Sequence, residues 1–456
     1  MANSYLTRSL VSTGNNKIGT LSFWMKRSEL STNQVIWNPY TSANTLVQMK
    51  LATDDALKMY WYDGGTTIAS LLTNRVFRDT SAYYHIVLVI NSDESSSSDR
   101  LKLYVNGVQE TSFSSSGYPA SGIDMQINNS GSTDVIGRYQ DGTTNYFNGV
   151  LSNIAWVDGA ALAPTVFGQE DSTSGIWKFK KPTGVTWGTN GFWLEGENSG
   201  SLGTDSSGNG NTFTPGGDLK QSLDTPSNLF ACINTLNLYS SGSPGKPDLE
   251  YGNLQIAGST SGAVKWYGAS TLGVSQGKWY WEIKNYTTSN ASLAVGVVTD
   301  PNSNQYENQA PGARQSGIST ENYSGNIVIN NSNVSVGYGS TWTGNGDICM
   351  IALDLTNDKF FLGKDGVWAD SDDPSNNTGG YSLSTVTNIS GFYHAAFGST
   401  SGTYMNSMSV NFGTGYFGTT AVSSAGTSSS GDDSVWEYNC PTGFYGLNTK
   451  NINTYG

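Results

Sequence analysis

The chain has 456 residues with 23 basic and 36 acidic side chains, a net charge of −13, and therefore lacks the excess of Lys and Arg needed to bind nucleic acid through its phosphates. Hydrophobic residues make up 36% and aromatic residues 12%, enough apolar area for cores, which excludes disorder as a global state. The 3 cysteines show no Cys-x-x-Cys spacing, and we expect neither a disulfide framework, nor a signal segment, nor a membrane span.

The first predicted strands lie in residues 1–168. Residues 84–90 form an apolar strand, and residues 100–105 alternate polar with apolar side chains and end in Asn106-Gly107, which predicts a tight hairpin. Together with the Phe-Trp strand at 20–26 and the strand at 146–157, this order resembles a concanavalin A-like, laminin-G type jelly roll over residues 5–168. The resemblance implies an antiparallel β-sandwich.

A connector is predicted at 169–255, and its most distinctive segment is the Asp-Ser-Ser-Gly-Asn-Gly-Asn loop at 205–211. As a turn, the loop needs only the positive φ that its glycines supply. Laminin-G type domains often carry a similar stretch beside calcium, a hard cation that prefers several oxygen ligands. Both alternatives remain open, and under the second Asp205, Asn209 and Asn211 would bind calcium, with no other cofactor required.

Residues 256–415 are predicted to form a second sandwich. Residues 278–284 alternate in the pattern of a strand with one buried face, and 348–353 are apolar on both faces, as expected of a central strand. Asp365-Gly366 predicts a tight turn after the next strand. The order and spacing of the motifs in residues 277–368 resemble a SPRY domain, which implies recognition through loops and no catalytic residues.

The last segment, residues 416–456, is predicted to hold a flexible Ser-, Gly- and Thr-rich loop and an aromatic tail that docks back onto the protein. The fold class is thus all-β, with two antiparallel jelly-roll sandwiches joined by a docked, turn-rich connector.

The whole arrangement, including Asp-Thr-Pro-Ser-Asn at 224–228 and Gly-Phe-Tyr-Gly-Leu-Asn at 443–448, resembles virion structural proteins of tailed bacteriophages. That resemblance implies a non-enzymatic tail fibre or appendage subunit, made in the host cytoplasm and located on the tail or capsid surface. Its implied partners are other virion proteins, further copies of itself in a trimer, and a host-surface glycan or protein. A capsid decoration or head-appendage protein and a calcium-dependent lectin remain the alternatives.

The sequence offers few residues that could form a catalytic site. His85 and His394 lie in apolar strands, which favours structural roles over a serine or cysteine triad. Glu195 and Glu197 share one strand face, whereas glycoside hydrolysis needs two carboxylates across a cleft. We therefore predict no catalytic residues.

Aromatic residues beside turns are the candidates for ligand binding: Trp61, Tyr62, Tyr338 and Trp342. Flat rings at these positions could stack on sugar rings or anchor a protein interface. Packing in the cores of the sandwiches is the alternative role for the same four side chains.

Overall fold

The computed structural model describes residues 3–140, 142–241, 247–257, 265–286, 293–302, 311–399 and 407–456. The chain divides into two units, Met1–Ser222 and Leu223–Gly456, so the predicted connector is shared, with residues 169–222 in the first unit and 223–255 in the second. The finer boundaries at residues 168, 255 and 415 stay a prediction. Within the described residues, no helix is both long and apolar enough to cross a membrane.

The first unit is built from short strands joined by turns. The strands are β1 Tyr5–Ser9, β2 Ile18–Arg27, β3 Gln34–Trp37, β4 Tyr40–Ser42, β5 Thr45–Leu51, β6 Ala56–Asp63, β7 Thr66–Val76, β8 Tyr84–Asn91, β9 Leu101–Val105, β10 Val108–Glu110, β11 Phe113–Gly117, β12 Thr133–Ile136, β13 Gly149–Asp158, β14 Gly168–Glu170, β15 Trp177–Phe179, β16 Phe192–Leu194 and β17 Thr214–Gly216, with 3₁₀ turns at Ser97–Asp99 and Pro164–Val166.

These strands form two main antiparallel sheets. One has nine strands, ordered β11-β7-β6-β5-β3-β12-β1-β17 with β4 beside β5 and β12, and the other has six, ordered β10-β9-β8-β2-β13-β16. Alternate residues of the central strands, such as Leu21, Phe23 and Met25 of β2, point into one shared core and are fully buried. The first unit is therefore a β-sandwich, as predicted.

The second unit has the same kind of architecture. Its strands are β18 Tyr239–Ser241, β19 Asp248–Glu250, β20 Gln255–Ala257, β21 Lys265–Val274, β22 Lys278–Asn285, β23 Leu293–Val298, β24 Gly317–Glu321, β25 Ile327–Ile329, β26 Ser332–Ser335, β27 Ile348–Asp354, β28 Lys359–Lys364, β29 Val367–Trp368, β30 Tyr381–Ser382, β31 Tyr393–Ser399, β32 Met408–Asn411, β33 Tyr416–Phe417, β34 Thr420–Ala421 and β35 Tyr445–Gly446, followed by helix α1 Thr449–Tyr455. Further 3₁₀ turns lie at Thr235–Asn237, Pro311–Ala313, Ala369–Ser371, Pro374–Asn376 and Leu383–Thr385.

Two sheets again enclose a core. A seven-stranded sheet has the order β18-β21-β31-β23-β24-β25-β26, and a nine-stranded sheet has the order β19-β20-β32-β22-β27-β28-β29, with β30 beside β28 and β35 beside β22. Trp279, Trp281 and Ile283 of β22 are fully buried between the sheets. The predicted all-β fold with two antiparallel sandwiches is confirmed.

The opposite face of β22 corrects one expectation. Tyr280 and Glu282 were expected on an open face, yet both are fully buried. Trp436 and Phe444 of the C-terminal segment cover them, and β35 pairs in parallel with β22. The predicted docking of the aromatic tail is thus confirmed, and it makes β22 a strand with two buried faces.

Both predicted tight turns are present. Asn106 and Gly107 join β9 to β10 with φ of 48° and 80°, and Asp365 and Gly366 join β28 to β29 with φ of 48° and 86°. Two consecutive positive φ values match the twist of the flanking strands, which is why Asn-Gly and Asp-Gly are favoured here. These turns set which residues of each hairpin face the core.

Candidate functional site

Strand β6 carries Trp61 and Tyr62, which are adjacent in the sequence but lie on opposite faces of the sheet. Trp61 is fully buried and belongs to the core of the first unit, where it lies opposite Val47 of β5 and Ala69 of β7. Tyr62, the next residue, points to the other side of the sheet and is partly exposed. The structure therefore gives Trp61 the packing role, and of these two only Tyr62 has a partly solvent-exposed ring.

Tyr60 joins Tyr62 on the outer side of the sheet. The two rings stack with centroids 5.8 Å apart and an interplanar angle of 20°. Tyr60 is not among the residues predicted from the sequence, although residues two apart on a strand share a face and Tyr60 therefore lies on the same face as Tyr62. Two stacked, partly exposed tyrosines form a flat apolar platform with hydroxyl groups at its edge.

Polar side chains from the neighbouring strand complete this surface. Gln48 lies opposite Tyr60, and Lys50 lies opposite Lys58 in the β5–β6 register. The ammonium group of Lys50 is 5.6 Å from the centroid of the Tyr60 ring. We call the surface formed by Gln48, Lys50, Lys58, Tyr60 and Tyr62 the tyrosine face.

Charge on the tyrosine face is unevenly balanced. The Nζ atom of Lys58 pairs with Asp54 at 2.8 Å, and this hydrogen bond lowers the pKa of the Asp54 carboxyl. Burial lowers the pKa of Lys50, and the positive charge of Lys58 lowers it further. Burial likewise raises the pKa of Tyr62, so its hydroxyl stays neutral and able to donate a hydrogen bond at ordinary pH.

Tyr338 and Trp342, the candidates in the second unit, take part in packing. Trp342 is 2% exposed and belongs to the core. The hydroxyl of Tyr338 donates a short hydrogen bond to Asp372, and its ring packs edge-on against Tyr381 with centroids 6.5 Å apart. Burial and the Asp372 carboxylate raise the pKa of Tyr338. Tyr338 thus fastens its loop to the 369–381 segment and leaves only part of its ring exposed.

The loop at 205–211 is organised around the carboxylate of Asp205. Its Oδ1 atom accepts the backbone N–H groups of Trp193 and Ser207, each at 2.9 Å. Its Oδ2 atom accepts the Ser207 hydroxyl and the Asn211 backbone N–H, each at 2.8 Å. The amide groups of Asn209 and Asn211 donate to backbone carbonyls at residues 188–191. This is the geometry of the turn alternative.

The calcium alternative for Asp205, Asn209 and Asn211 stays a prediction. In the part of the chain that the structure describes, no group of three or more His, Cys, Asp or Glu residues is placed to hold a metal ion. If calcium does bind, its addition should raise the Tm of the first unit, since a ligand that binds only the folded state stabilises it. The test is a thermal melt with calcium and with a chelator, and an unchanged Tm would remove the alternative.

His85 is a buried structural residue. The indole N–H of Trp177 donates to its Nδ1 atom at 2.9 Å, so the ring proton lies on Nε2, which in turn donates to the Ser22 hydroxyl at 2.9 Å. Burial lowers the pKa of His85 to about 3. The imidazole has no free lone pair with which to deprotonate Ser22, and the expected structural role is confirmed.

His394 likewise donates its Nδ1–H to the backbone carbonyl of Ser270 at 3.1 Å, and burial lowers its pKa. Of the two carboxylates considered for glycoside hydrolysis, Glu195 is held by Lys181 at 2.9 Å and Glu197 is exposed. His394 is thus held by a backbone carbonyl, and the two glutamates differ in exposure and partners.

Glu282 of β22 is a carboxyl with a strongly raised pKa. Burial raises its pKa to about 7, although four groups donate hydrogen bonds to it. The donors are the Tyr280 hydroxyl at 3.0 Å, the Asn411 amide at 3.2 Å, and the backbone N–H groups of Glu437 and Tyr438 at 3.0 and 2.9 Å. A perturbed carboxyl often marks an active site. Here the carboxyl is fully buried and its partners lie within the fold, so Glu282 fixes the C-terminal segment in place.

Comparison with protein families adds to this geometry. Residues 2–167 match the family model of the concanavalin A-like lectin/glucanases superfamily. The first unit therefore has the predicted concanavalin A-like, laminin-G type fold, and this fold fits a carbohydrate-binding role. A comparison with curated proteins finds no match.

Three similar solved structures are distant in sequence and have low TM-scores. The SPRY domain of human HERC1 is 18% identical over 34% of this chain and 87% of its own, with a TM-score of 0.26. A heptameric SAP-like pentraxin from Limulus polyphemus is 18% identical over 35% and 71%, with a TM-score of 0.27. A candidate carbohydrate-binding protein from Bacteroides ovatus is 17% identical over 47% and 56%, with a TM-score of 0.31. Likenesses at this level carry no information about function.

Proposed function

We propose that this chain is a non-enzymatic carbohydrate-binding protein and that the tyrosine face of the first unit binds the sugar. The observation that carries the proposal is the pair of stacked, partly exposed tyrosines on a sheet of concanavalin A-like fold. A ligand site needs an apolar surface with a few polar groups that fix orientation. Tyr60 and Tyr62 supply the surface, and Gln48 and Lys50 supply polar groups beside it.

The sheet makes this surface rigid. Trp61 packs β6 against the core of the first unit, and β6 is hydrogen-bonded to β5 on one side and to β7 on the other. Tyrosine side chains lose little conformational entropy on binding because they have only two side-chain torsions. A sugar ring that stacks on Tyr60 or Tyr62 would therefore meet a platform already in its bound arrangement.

The Tyr60→Ala and Tyr62→Ala variants should each weaken glycan binding about tenfold or more, as expected when a central aromatic contact is removed. The measurement is a glycan array of bacterial-surface sugars, followed by calorimetry with the best binder. Tyr104→Ala is a matched control, since Tyr104 is a partly exposed tyrosine on β9 of the other sheet. If both test variants bind as tightly as the Tyr104 control, the tyrosine face is not the sugar site.

We further propose that the chain acts in a bacteriophage particle, as a tail fibre or appendage subunit that assembles with other virion proteins and with copies of itself, most simply as a trimer. The resemblance of the sequence to virion structural proteins supports this proposal, as does a sugar-binding face suited to a host-surface glycan. Calcium at the Asp205 loop would make the stability of the first unit ion-dependent.

Immunogold labelling of intact particles tests the location. Label on tails supports a fibre or appendage subunit, label on heads supports a capsid decoration protein, and absence of label removes the virion role. Sedimentation of the purified chain as a stable monomer would count against a trimeric fibre and favour decoration or a free lectin.

A further inference from the structure

The ammonium group of Lys50 stands out on the tyrosine face. Within the described residues of the first unit, Lys50 has no ion pair. Its partner directly opposite on β6 is Lys58, which carries the same positive charge. Like charges placed directly opposite on a sheet destabilise it. Asp54 balances only Lys58, at 2.8 Å, so the three side chains together leave one positive charge.

A charged Lys50 side chain at this position costs free energy unless an anion lies beside it. The side chain is only partly exposed, and burial disfavours the charged form of its amine. The Tyr60 ring, 5.6 Å away, offsets part of this cost through its negative face. An anionic group bound beside Tyr60 would neutralise Lys50 and relieve the repulsion from Lys58.

Gln48 provides a second, independent observation at the same place. Its residue is 7% exposed and lies opposite Tyr60 in the register, yet within the described residues no hydrogen bond is made to its side-chain amide. An amide offers two donors and an acceptor, which suits hydroxyl or carboxylate groups of a ligand. Lys50 and Gln48 therefore flank the ring of Tyr60 on the neighbouring strand.

We infer that the tyrosine face selects acidic sugars, with a carboxylate or sulfate group of the glycan at Lys50 and the sugar ring on Tyr60. The inference rests on the proposed function, because it specifies the ligand class of that same site. The chain as a whole has a net charge of −13, so its long-range field repels anions. Selection must then come from short-range contacts, and a partly buried lysine supplies them.

The test compares three oligosaccharides of equal length by calorimetry with the full chain: a neutral galactan fragment, an oligogalacturonate that carries carboxylates, and a sulfated galactan fragment. We expect the better acidic probe to bind at least about tenfold more tightly than the neutral one, with a difference that shrinks as salt is raised. Which acidic probe binds better identifies the anion. Lys50→Met keeps the side-chain stem and should abolish the preference, because it weakens binding of the acidic probe far more than binding of the neutral one.

Lys102→Met is the matched control, because Lys102 of β9 lies on the other sheet and pairs with Asp99 at 3.0 Å. It should leave the preference unchanged. A melting curve of each variant checks folding, and Lys50→Met should keep or raise the Tm because it removes a like-charge contact. Equal affinity of the parent protein for neutral and acidic probes, or an unchanged preference in Lys50→Met, would overturn the inference and leave the proposed function standing. If none of the three probes binds and the glycan array is also blank, the proposed function and this inference fall together.

Discussion

Replacement of Glu282 by Ala should destabilise the second unit by about 4 kcal/mol, the largest effect expected for a single polar substitution here. The carboxylate accepts backbone N–H groups of Glu437 and Tyr438 and the amide of Asn411. Alanine would leave these buried or partly buried donors without an acceptor, at a cost of about 1 to 3 kcal/mol for each that stays shielded from water. Chemical denaturation of the full chain measures the change.

The same variant should loosen the C-terminal segment. Trp436 packs edge-on against Tyr280 with ring centroids 4.8 Å apart, and this contact sits beside the Glu282 hydrogen bonds. Limited proteolysis should therefore cut residues 423–447 faster in Glu282→Ala than in the parent protein. Glu437→Ala is the control, because the Glu437 side chain bonds to Ser423 on the exposed side. Equal stability of the two variants would contradict the anchoring role of Glu282.

The free energy of unfolding should fall as the pH rises, because the pKa of Glu282 is higher in the folded state than in the unfolded chain. Burial raises the folded-state pKa from 4.5 to about 7, so between these values the folded protein holds a proton that the unfolded chain has lost. The contribution to the free energy of unfolding is complete below about pH 4.5 and lost as the pH rises through about 7, a change of about 3 kcal/mol. In Glu282→Gln the side chain cannot ionise, and unfolding of this variant should lack that slope.

Replacement of Trp61 by Ala should destabilise the first unit by about 4 kcal/mol, as is usual for a large aromatic residue removed from a core. Trp61 is fully buried, and its indole N–H has no hydrogen-bond partner within the described residues, so the loss comes from packing alone. Tyr62→Ala, one residue away, removes a partly exposed ring and should cost less than about 1 kcal/mol. Thermal and chemical unfolding distinguish the two.

The affinity for glycan should depend on Tyr62 more than on Trp61, the opposite of the order expected for stability. Trp61→Phe refills most of the core and should keep the glycan affinity, whereas Tyr62→Ala should lose it while remaining folded. This pair separates packing from recognition at adjacent positions of one strand. A Trp61→Phe variant that folds normally but no longer binds glycan would place Trp61 in the site and contradict the assignment to the core.

Much of the architecture follows from local sequence patterns. The alternation in residues 100–105 and the Asn106-Gly107 pair predict a strand and a tight turn, and the structure has both. The apolar run at 348–353 correctly predicts a strand buried on both faces. Such features depend on side chains a few positions apart, whose directions are set by the period of two along a strand.

The sequence predicted only part of the candidate site. Trp61 and Tyr62 were grouped because they are adjacent and precede a turn, but adjacent residues of a strand point to opposite faces. The same rule places Tyr60 beside Tyr62 on one face of β6, so these two residues of the tyrosine face follow from the sequence pattern. The opposition of Lys50 to Lys58, in contrast, depends on the register between β5 and β6, which no single strand encodes.

The sequence by itself determined many of the strands and the tight turns, because each depends on periodicity or turn chemistry within a short segment. Tertiary structure alone decided which strand faces are covered. Glu282 follows the pattern of an exposed position, yet it is buried by residues 155 and 156 positions away. Burial and charge balance arise from contacts between distant segments, and so the anchor at Glu282 and the uncompensated lysine of the tyrosine face emerge only when the chain is folded.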